Sequence, residues 1–132
     1  MRVDAKQLNG LTLAYIGDAV YELAVRDYLI KKGQVKPNEL HQQAVTFVSA
    51  KAQASIIHNW LINKRLTDEE EAIVRRGRNA KSGSTPKNMT IQDYRYATGF
   101  ESLIGYLYLH DDKQRLDELL TQAIEHITNE LK

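Results

Sequence analysis

Two apolar runs constrain this chain more than any other feature. LAYIGDAVYE covers Leu13 to Glu22, and FESLIGYLYL covers Phe100 to Leu109. Each carries an acid, Asp18 or Glu101, inside a hydrophobic stretch. The first run continues through Leu23, Ala24 and Val25 with no turn residue to divide it. It is too long for a strand and reads as a helix that is apolar on nearly every side. Such a helix is expected to be buried all round. An ionised carboxylate in that setting is expensive unless it is paired, hydrogen-bonded or bound to a metal.

The remaining pattern is also helical. Both prolines, Pro37 and Pro86, fall where the pattern breaks. The first helix is predicted over about Lys6 to Lys32, with Gly33 as its cap behind two lysines that suit the negative end of the dipole. Gly17 lowers helix propensity by about 1 kcal/mol, so its central place points to close packing of another helix. Pro37 opens a second helix. Ser49 caps a third, whose apolar stripe is Ala52, Ile56, Ile57, Trp60 and Leu61. Thr67 and Glu70 form a capping box for a fourth helix that runs toward Asn79. Thr90 and Asp93 resemble another box, for a fifth helix from Ile91 to about Leu109. The last helix, about Lys113 to Leu131, has one stripe made of Leu116, Leu119, Leu120, Ala123, Ile124, Ile127 and Leu131. The expectation is an all-α fold, one domain over residues 1–132, without a linker or a second domain.

Composition removes several classes of function. The chain has no Cys, and its four His show no zinc-site spacing. No run reaches the length of a membrane span, and the start lacks the pattern of a secretory signal. A cytoplasmic location is the expectation. The net charge of +1 conceals a local field: Arg75 to Arg95 holds six basic residues and one acid, Asp93. Acidic stretches flank it, TDEEE before and Asp111 to Lys132 after. Such a field attracts a polyanion while the average stays neutral.

Two readings of the buried acids stand side by side. In one, Asp18 bonds a neighbouring helix end and Glu101 pairs with an arginine, just as Glu22 has Arg26 four residues on. In the other, the two central helices cross near Asp18 and Glu101, and a hard cation such as Mg²⁺ holds the crowded carboxylates together with waters and substrate phosphates. The basic segment RRGRNAKSGSTPK also has two readings. It is either a solvated surface loop or a phosphate grip made of Arg75, Arg76, Arg78, Lys81 and Lys87. It lacks the spacing of a P-loop. No helix-turn-helix or zinc-finger pattern accompanies it.

Four segments, taken together and in order, carry a resemblance: YIGDA, KPNELH, RGRNAKSG and YRYATGFESLIGYL. The chain resembles the ribonuclease III family in its short bacterial form, which has no appended double-stranded RNA-binding domain. The resemblance implies a helical, dimer-forming endonuclease domain that cuts double-stranded RNA with Mg²⁺, for which Mn²⁺ can substitute. It leaves a 5′-phosphate and a 3′-hydroxyl. It implies Asp18 and Glu101 as catalytic and metal-binding residues, and the basic segment as an RNA contact. The implied substrate is the 23S ribosomal RNA precursor near its mature ends; whether a ribosomal protein assists is not fixed by the sequence. Full-length members carry two more acids, at the positions of Ala14 and Thr98 here. Their absence favours an alternative, a non-catalytic helical RNA-binding or ribosome-assembly module; Asp18 and Glu101 together oppose it. Asn38 and His41 read as helix-start or packing residues, and Tyr15, Trp60 and Tyr94 as core or rim.

Overall fold

The computed structural model describes residues 3–34, 36–80 and 85–132. A 3₁₀ turn at Ala5–Gln7 precedes six α-helices: α1 (Gly10–Lys31), α2 (Pro37–Val48), α3 (Ala50–Ile62), α4 (Asp68–Arg78), α5 (Ile91–Leu109) and α6 (Lys113–Glu130). No strand occurs among the described residues.

Most helix ends fall where the sequence places them. Ser49 Oγ accepts from Ala52 N–H at 3.2 Å. The Thr67 hydroxyl accepts from Glu70 N–H, and the Glu70 carboxylate accepts from Thr67 N–H, which completes the capping box. Thr90 makes only the first half of such a box, accepting from Asp93 N–H at 3.0 Å. Gly33 follows α1 with φ of +108°, a conformation that glycine takes without strain. The start of α1 differs from the expectation. Asn9 caps the helix by accepting from Leu11 N–H at 2.7 Å, so α1 begins at Gly10 rather than near Lys6. A separate turn capped by Asp4 takes up the residues before it.

α5 is the hub. From Ala97 to Leu107 all its residues are buried except Glu101, because α1, α3 and α4 pack around it. Phe100 lies at the centre, with its ring 4.9 Å from Tyr21 of α1 and 5.6 Å from Trp60 of α3. α2 packs on the outside of α1, where Tyr21 donates to the Phe47 carbonyl at 3.0 Å. α6 closes the far side with the predicted stripe: Leu116, Leu119, Ala123, Ile124 and Ile127 are buried, Leu120 is half-buried, and Leu131, past the end of the helix, is exposed.

The expectation that α1 is buried all round is not met. Its inner face is Leu13, Gly17, Tyr21, Val25 and Leu29, spaced four apart. Val20 and Ala24 are half-buried against the core, but three large apolar residues point outward: Tyr15 is 83% exposed, Leu23 69% and Ile30 54%. A single layer of neighbours covers only one face of a helix, so apolarity all round exceeds what this monomer can bury.

One ion pair ties three parts of the fold together. Arg115 of α6 grips the buried Glu70 through both carboxylate oxygens at 2.8 Å and donates to the Arg65 carbonyl at 2.9 Å. Burial raises the Glu70 pKa, but the Arg115 and Thr67 hydrogen bonds outweigh that effect and hold it below its ordinary value. Arg115→Ala strands this carboxylate. It is expected to destabilise the fold by about 3 kcal/mol, measured by urea unfolding.

Candidate active site

Where α1 crosses α5, helix backbones touch. A Cβ on Gly17 would lie 1.8 Å from the Glu101 carbonyl oxygen, and one on Gly105 would lie 1.9 Å from that of Leu13. Only glycine at both positions permits this approach. Asp18 follows Gly17 directly, and the Glu101 side chain leaves α5 at the same crossing. The two carboxyl groups therefore meet within hydrogen-bonding reach.

Their environments differ. Asp18 is exposed, whereas Glu101 is half-buried. Burial pushes the Glu101 carboxyl up to about 8, helped by the hydrogen bond and charge of Asp18 and by the charge of Glu22. A hydrogen bond from Gln53 of α3 acts in the opposite sense. In the metal-free protein, burial and the neighbouring Asp18 therefore favour the protonated form of Glu101. Glu22 lies one turn beyond Asp18 and pairs with Arg26 at 3.4 Å, as its spacing predicts.

A divalent cation fits this pair, since its charge offsets both the desolvation and the like-charge crowding. Among the described residues no third His, Cys, Asp or Glu joins the pair to make a larger ligand cluster. Two carboxylates suit Mg²⁺, which retains several waters and accepts phosphate oxygens. The positions at which full-length relatives carry further acids supply no ligand. Ala14 and Thr98 are each 7% exposed, and the Thr98 hydroxyl donates to the Tyr94 carbonyl of its own helix at 2.9 Å.

The basic residues separate into different roles. Arg75 and Lys87 are exposed. Arg78 lies over the Tyr96 ring at 5.6 Å, bonded to Asn79 at 3.3 Å. The Arg76 guanidinium is committed to the chain itself, donating to the carbonyls of Lys6 and Leu8 and so fastening the N-terminal turn to α4. Lys81 lies outside the described residues. Of the aromatic residues, Trp60 is core, Tyr94 is half-buried and Tyr15 is exposed; Asn38 and His41 are exposed on the first turns of α2. Sequence reasoning passed over Gln53. A lone glutamine in the apolar face AQASII was the available signal.

A family model described as the ribonuclease III domain matches residues 11–112. The helical bundle agrees: a crystal structure of a protein from Fusobacterium nucleatum superposes with a TM-score of 0.81 at 30% identity, covering 93% of this chain and 97% of that one. These matches define a ribonuclease III-type helical domain. Mini-ribonuclease 3 of Enterococcus faecalis is 56% identical over 129 residues, 96% of this chain and 98% of that protein. Mini-ribonuclease 3 of Brevibacillus brevis is 50% identical over 127 residues, 96% of this chain and 93% of that protein. The chain belongs to the Mini-ribonuclease 3 family. None of its described helices is long and apolar enough to cross a membrane.

Proposed function

We propose that this chain is an endoribonuclease that hydrolyses phosphodiester bonds in double-stranded RNA at the Asp18–Glu101 pair, using Mg²⁺. The single observation that carries this reading is the meeting of two distant carboxylates at a glycine-lined helix crossing. When bound there, the divalent ion supplies an activated water and offsets charge on the phosphoryl oxygens. Asp18, open to solvent, would hold the ion through its carboxylate. Glu101, half-buried beside it, would hold the ion through its ionised carboxylate. Water attacks phosphorus, the bond to the 3′ oxygen breaks, and that oxygen takes up a proton, which leaves the 5′-phosphate and 3′-hydroxyl that the resemblance to the family implies. The biological substrate is the 23S ribosomal RNA precursor near its mature ends, cut in the cytoplasm by the one domain of residues 1–132. Family membership supports this part of the reading.

The working unit is a homodimer. The outward apolar face of α1 supports this, with Tyr15 three residues before Asp18 and Leu23 five after it. Beside that face lies a groove of about 740 Å³ lined by Val20, Leu23, Ala24, Leu107, Tyr108 and Leu116. A second copy covering this surface would set two sites along one duplex.

Product analysis tests the activity. A duplex from the precursor stem is incubated with Mg²⁺, Mn²⁺ or a chelator, and the ends formed are read. Scission with either metal and none with chelator is expected. Binding without scission would mark a non-catalytic RNA-binding module instead.

Arg75, Arg78, Lys81 and Lys87 are assigned to phosphate contacts, and duplex recognition follows A-form shape. Replacing Arg75 and Lys87 by Ala should lower the salt slope of RNA binding by about one unit per lost contact. Arg76→Ala should instead cost stability, about 1–2 kcal/mol for the two carbonyl hydrogen bonds. An unchanged slope in the first variant would remove those two residues from the interface, and an unchanged melting temperature in the second would reverse the role of Arg76.

A further inference from the structure

The arginines at the end of α4 are held in different ways. Arg75 is exposed, and Arg76 commits its N–H groups to carbonyls of the chain. Arg78, the last residue of α4, lies against an aromatic ring. Gly99 of α5 brings the end of α4 close: a Cβ there would lie 2.9 Å from the Val74 carbonyl oxygen and 3.6 Å from the Arg78 nitrogen. The Arg78 side chain then comes over Tyr96, one turn before Gly99. Its guanidinium carbon is 5.6 Å from the ring centroid, and Nη1 reaches the Tyr96 hydroxyl at 3.5 Å. Nε donates to Asn79 Oδ1 at 3.3 Å. The Tyr96 ring is itself contacted from α3, where the His58 imidazole lies 4.1 Å away between centroids. Tyr96 is half-buried and packs against the core, whereas His58 is exposed. α3, α4 and α5 thus meet in one His–Arg–Tyr contact. Among the described residues no carboxylate pairs with Arg78; Arg26 and Arg115 are the arginines paired with acids.

We propose that Tyr96, backed by His58, is a positioning residue for Arg78: its ring holds the guanidinium in place and leaves the charge for a phosphate of the RNA duplex. The proposal rests on the reading of Arg78 as a phosphate contact. A carboxylate partner would fix the arginine too, but it would cancel the charge and compete with phosphate. An aromatic ring attracts the cation through its negative face and takes no charge from it. The guanidinium fork has N–H groups beyond those used by Asn79 and Tyr96, and these can meet phosphate oxygens. The gain is one of order. A long side chain free in solvent loses rotamer freedom when it grips a phosphate, and that loss opposes binding. A ring against the guanidinium removes much of this freedom before the RNA arrives. The arrangement also suits arginine in particular, since a planar guanidinium stacks on a ring better than an ammonium does.

Affinity for a short RNA duplex tests this on the whole chain, measured with a chelator present so that no strand is cut. Arg78→Ala is expected to weaken binding and to lower its salt slope by about one. Tyr96→Leu keeps an apolar side chain and removes the ring. It is expected to weaken binding about three- to tenfold. In the Arg78→Ala background the same substitution should cost nothing further, since the ring then has nothing to hold. Tyr96→Phe keeps the ring and should bind nearly as wild type does. A folded Tyr96→Leu protein with wild-type affinity overturns the proposal. So does an equal loss with and without Arg78, or a Tyr96→Phe protein as weak as Tyr96→Leu; Tyr96 is then a packing residue or acts through its hydroxyl. Wild-type affinity and slope in Arg78→Ala would instead sink the reading of Arg78 as a phosphate contact. If Tyr96→Leu does not fold, ring resonances decide. Those of Tyr96 should shift when RNA is added to the wild-type protein and stay in place in Arg78→Ala. Resonances unmoved in the wild type, or moved equally in both proteins, overturn the proposal.

Discussion

Glu101→Gln is expected to abolish cleavage and, in the same protein, to stabilise the metal-free fold. Glu101 ordinarily titrates at 4.5, and in the folded chain burial, then Asp18, push it up to about 8. A carboxyl raised in this way gives stability that is complete below its ordinary pKa and is lost as pH rises through the folded value. The metal-free wild-type protein should therefore lose stability between about pH 4.5 and 8, by a few kcal/mol at most after the screening that solvent at Asp18 provides. Glutamine carries no charge at either end of that window. Thermal melts of the two proteins should nearly coincide at acid pH and separate at mildly alkaline pH, with the variant higher. Mg²⁺ should raise the wild-type melting temperature and leave the variant unmoved. Mg²⁺ affinity of the wild type should climb with pH up to about 8, since a ligating carboxylate must be deprotonated. Cleavage should fall by at least about a thousandfold in the variant, the scale of losing pre-organised charge stabilisation at the reacting centre. Wild-type cleavage by a folded Glu101→Gln protein would falsify the assignment. A stability curve without slope across this window would show that the two carboxyl groups do not crowd each other.

How much of this was legible in the residues depends on the range of the interaction. Local signals were readable, since a cap needs only its own next three residues: Ser49, Thr67 and Pro37 all marked true helix starts. Apolar content identified α1 and α5 as central, and an acid in each marked the site. Orientation was less accessible. Apolarity all round α1 gave no clue to which side faces α5. The spacing of Leu13, Gly17, Tyr21, Val25 and Leu29 contained the answer, but the outward Tyr15, Leu23 and Ile30 hid it. Pairings distant in the chain left no local trace. Arg76 looked like one more member of a basic cluster, and only the fold shows it fastening the N-terminal turn. Arg115 and Glu70 are separated by most of α4 and all of α5, so no helix-spacing rule could join them. Gln53 interrupts an apolar face, and its side chain turns back to the Val48 carbonyl at the end of α2.

Gly17→Ala concerns the feature on which the site depends most, and a single methyl group should disable it. The new Cβ would lie 1.8 Å from the Glu101 carbonyl oxygen and 2.8 Å from the Gly105 nitrogen. Both are backbone atoms in the most buried helix, so no side chain can swing away to make room. α1 has to move outward, and the contacts of Leu13, Tyr21 and Val25 with α5 loosen with it. The expected loss is about 3 kcal/mol or more, beyond the usual range for one added methyl because backbone meets backbone. For a domain of this size that lowers the melting temperature by about 10 °C or more. A second effect separates this variant from an ordinary core defect. Displacing α1 carries Asp18 away from Glu101, and about 1 Å of misplacement at a reacting centre reduces rate by about a hundredfold. Cleavage measured well below the melting temperature should therefore fall in Gly17→Ala, and Mg²⁺ affinity with it. A core variant of similar instability remote from the crossing, such as Leu119→Ala on α6, should keep both. Equal Mg²⁺ affinity in the two destabilised proteins would mean that the helix crossing does not set the distance between the carboxylates.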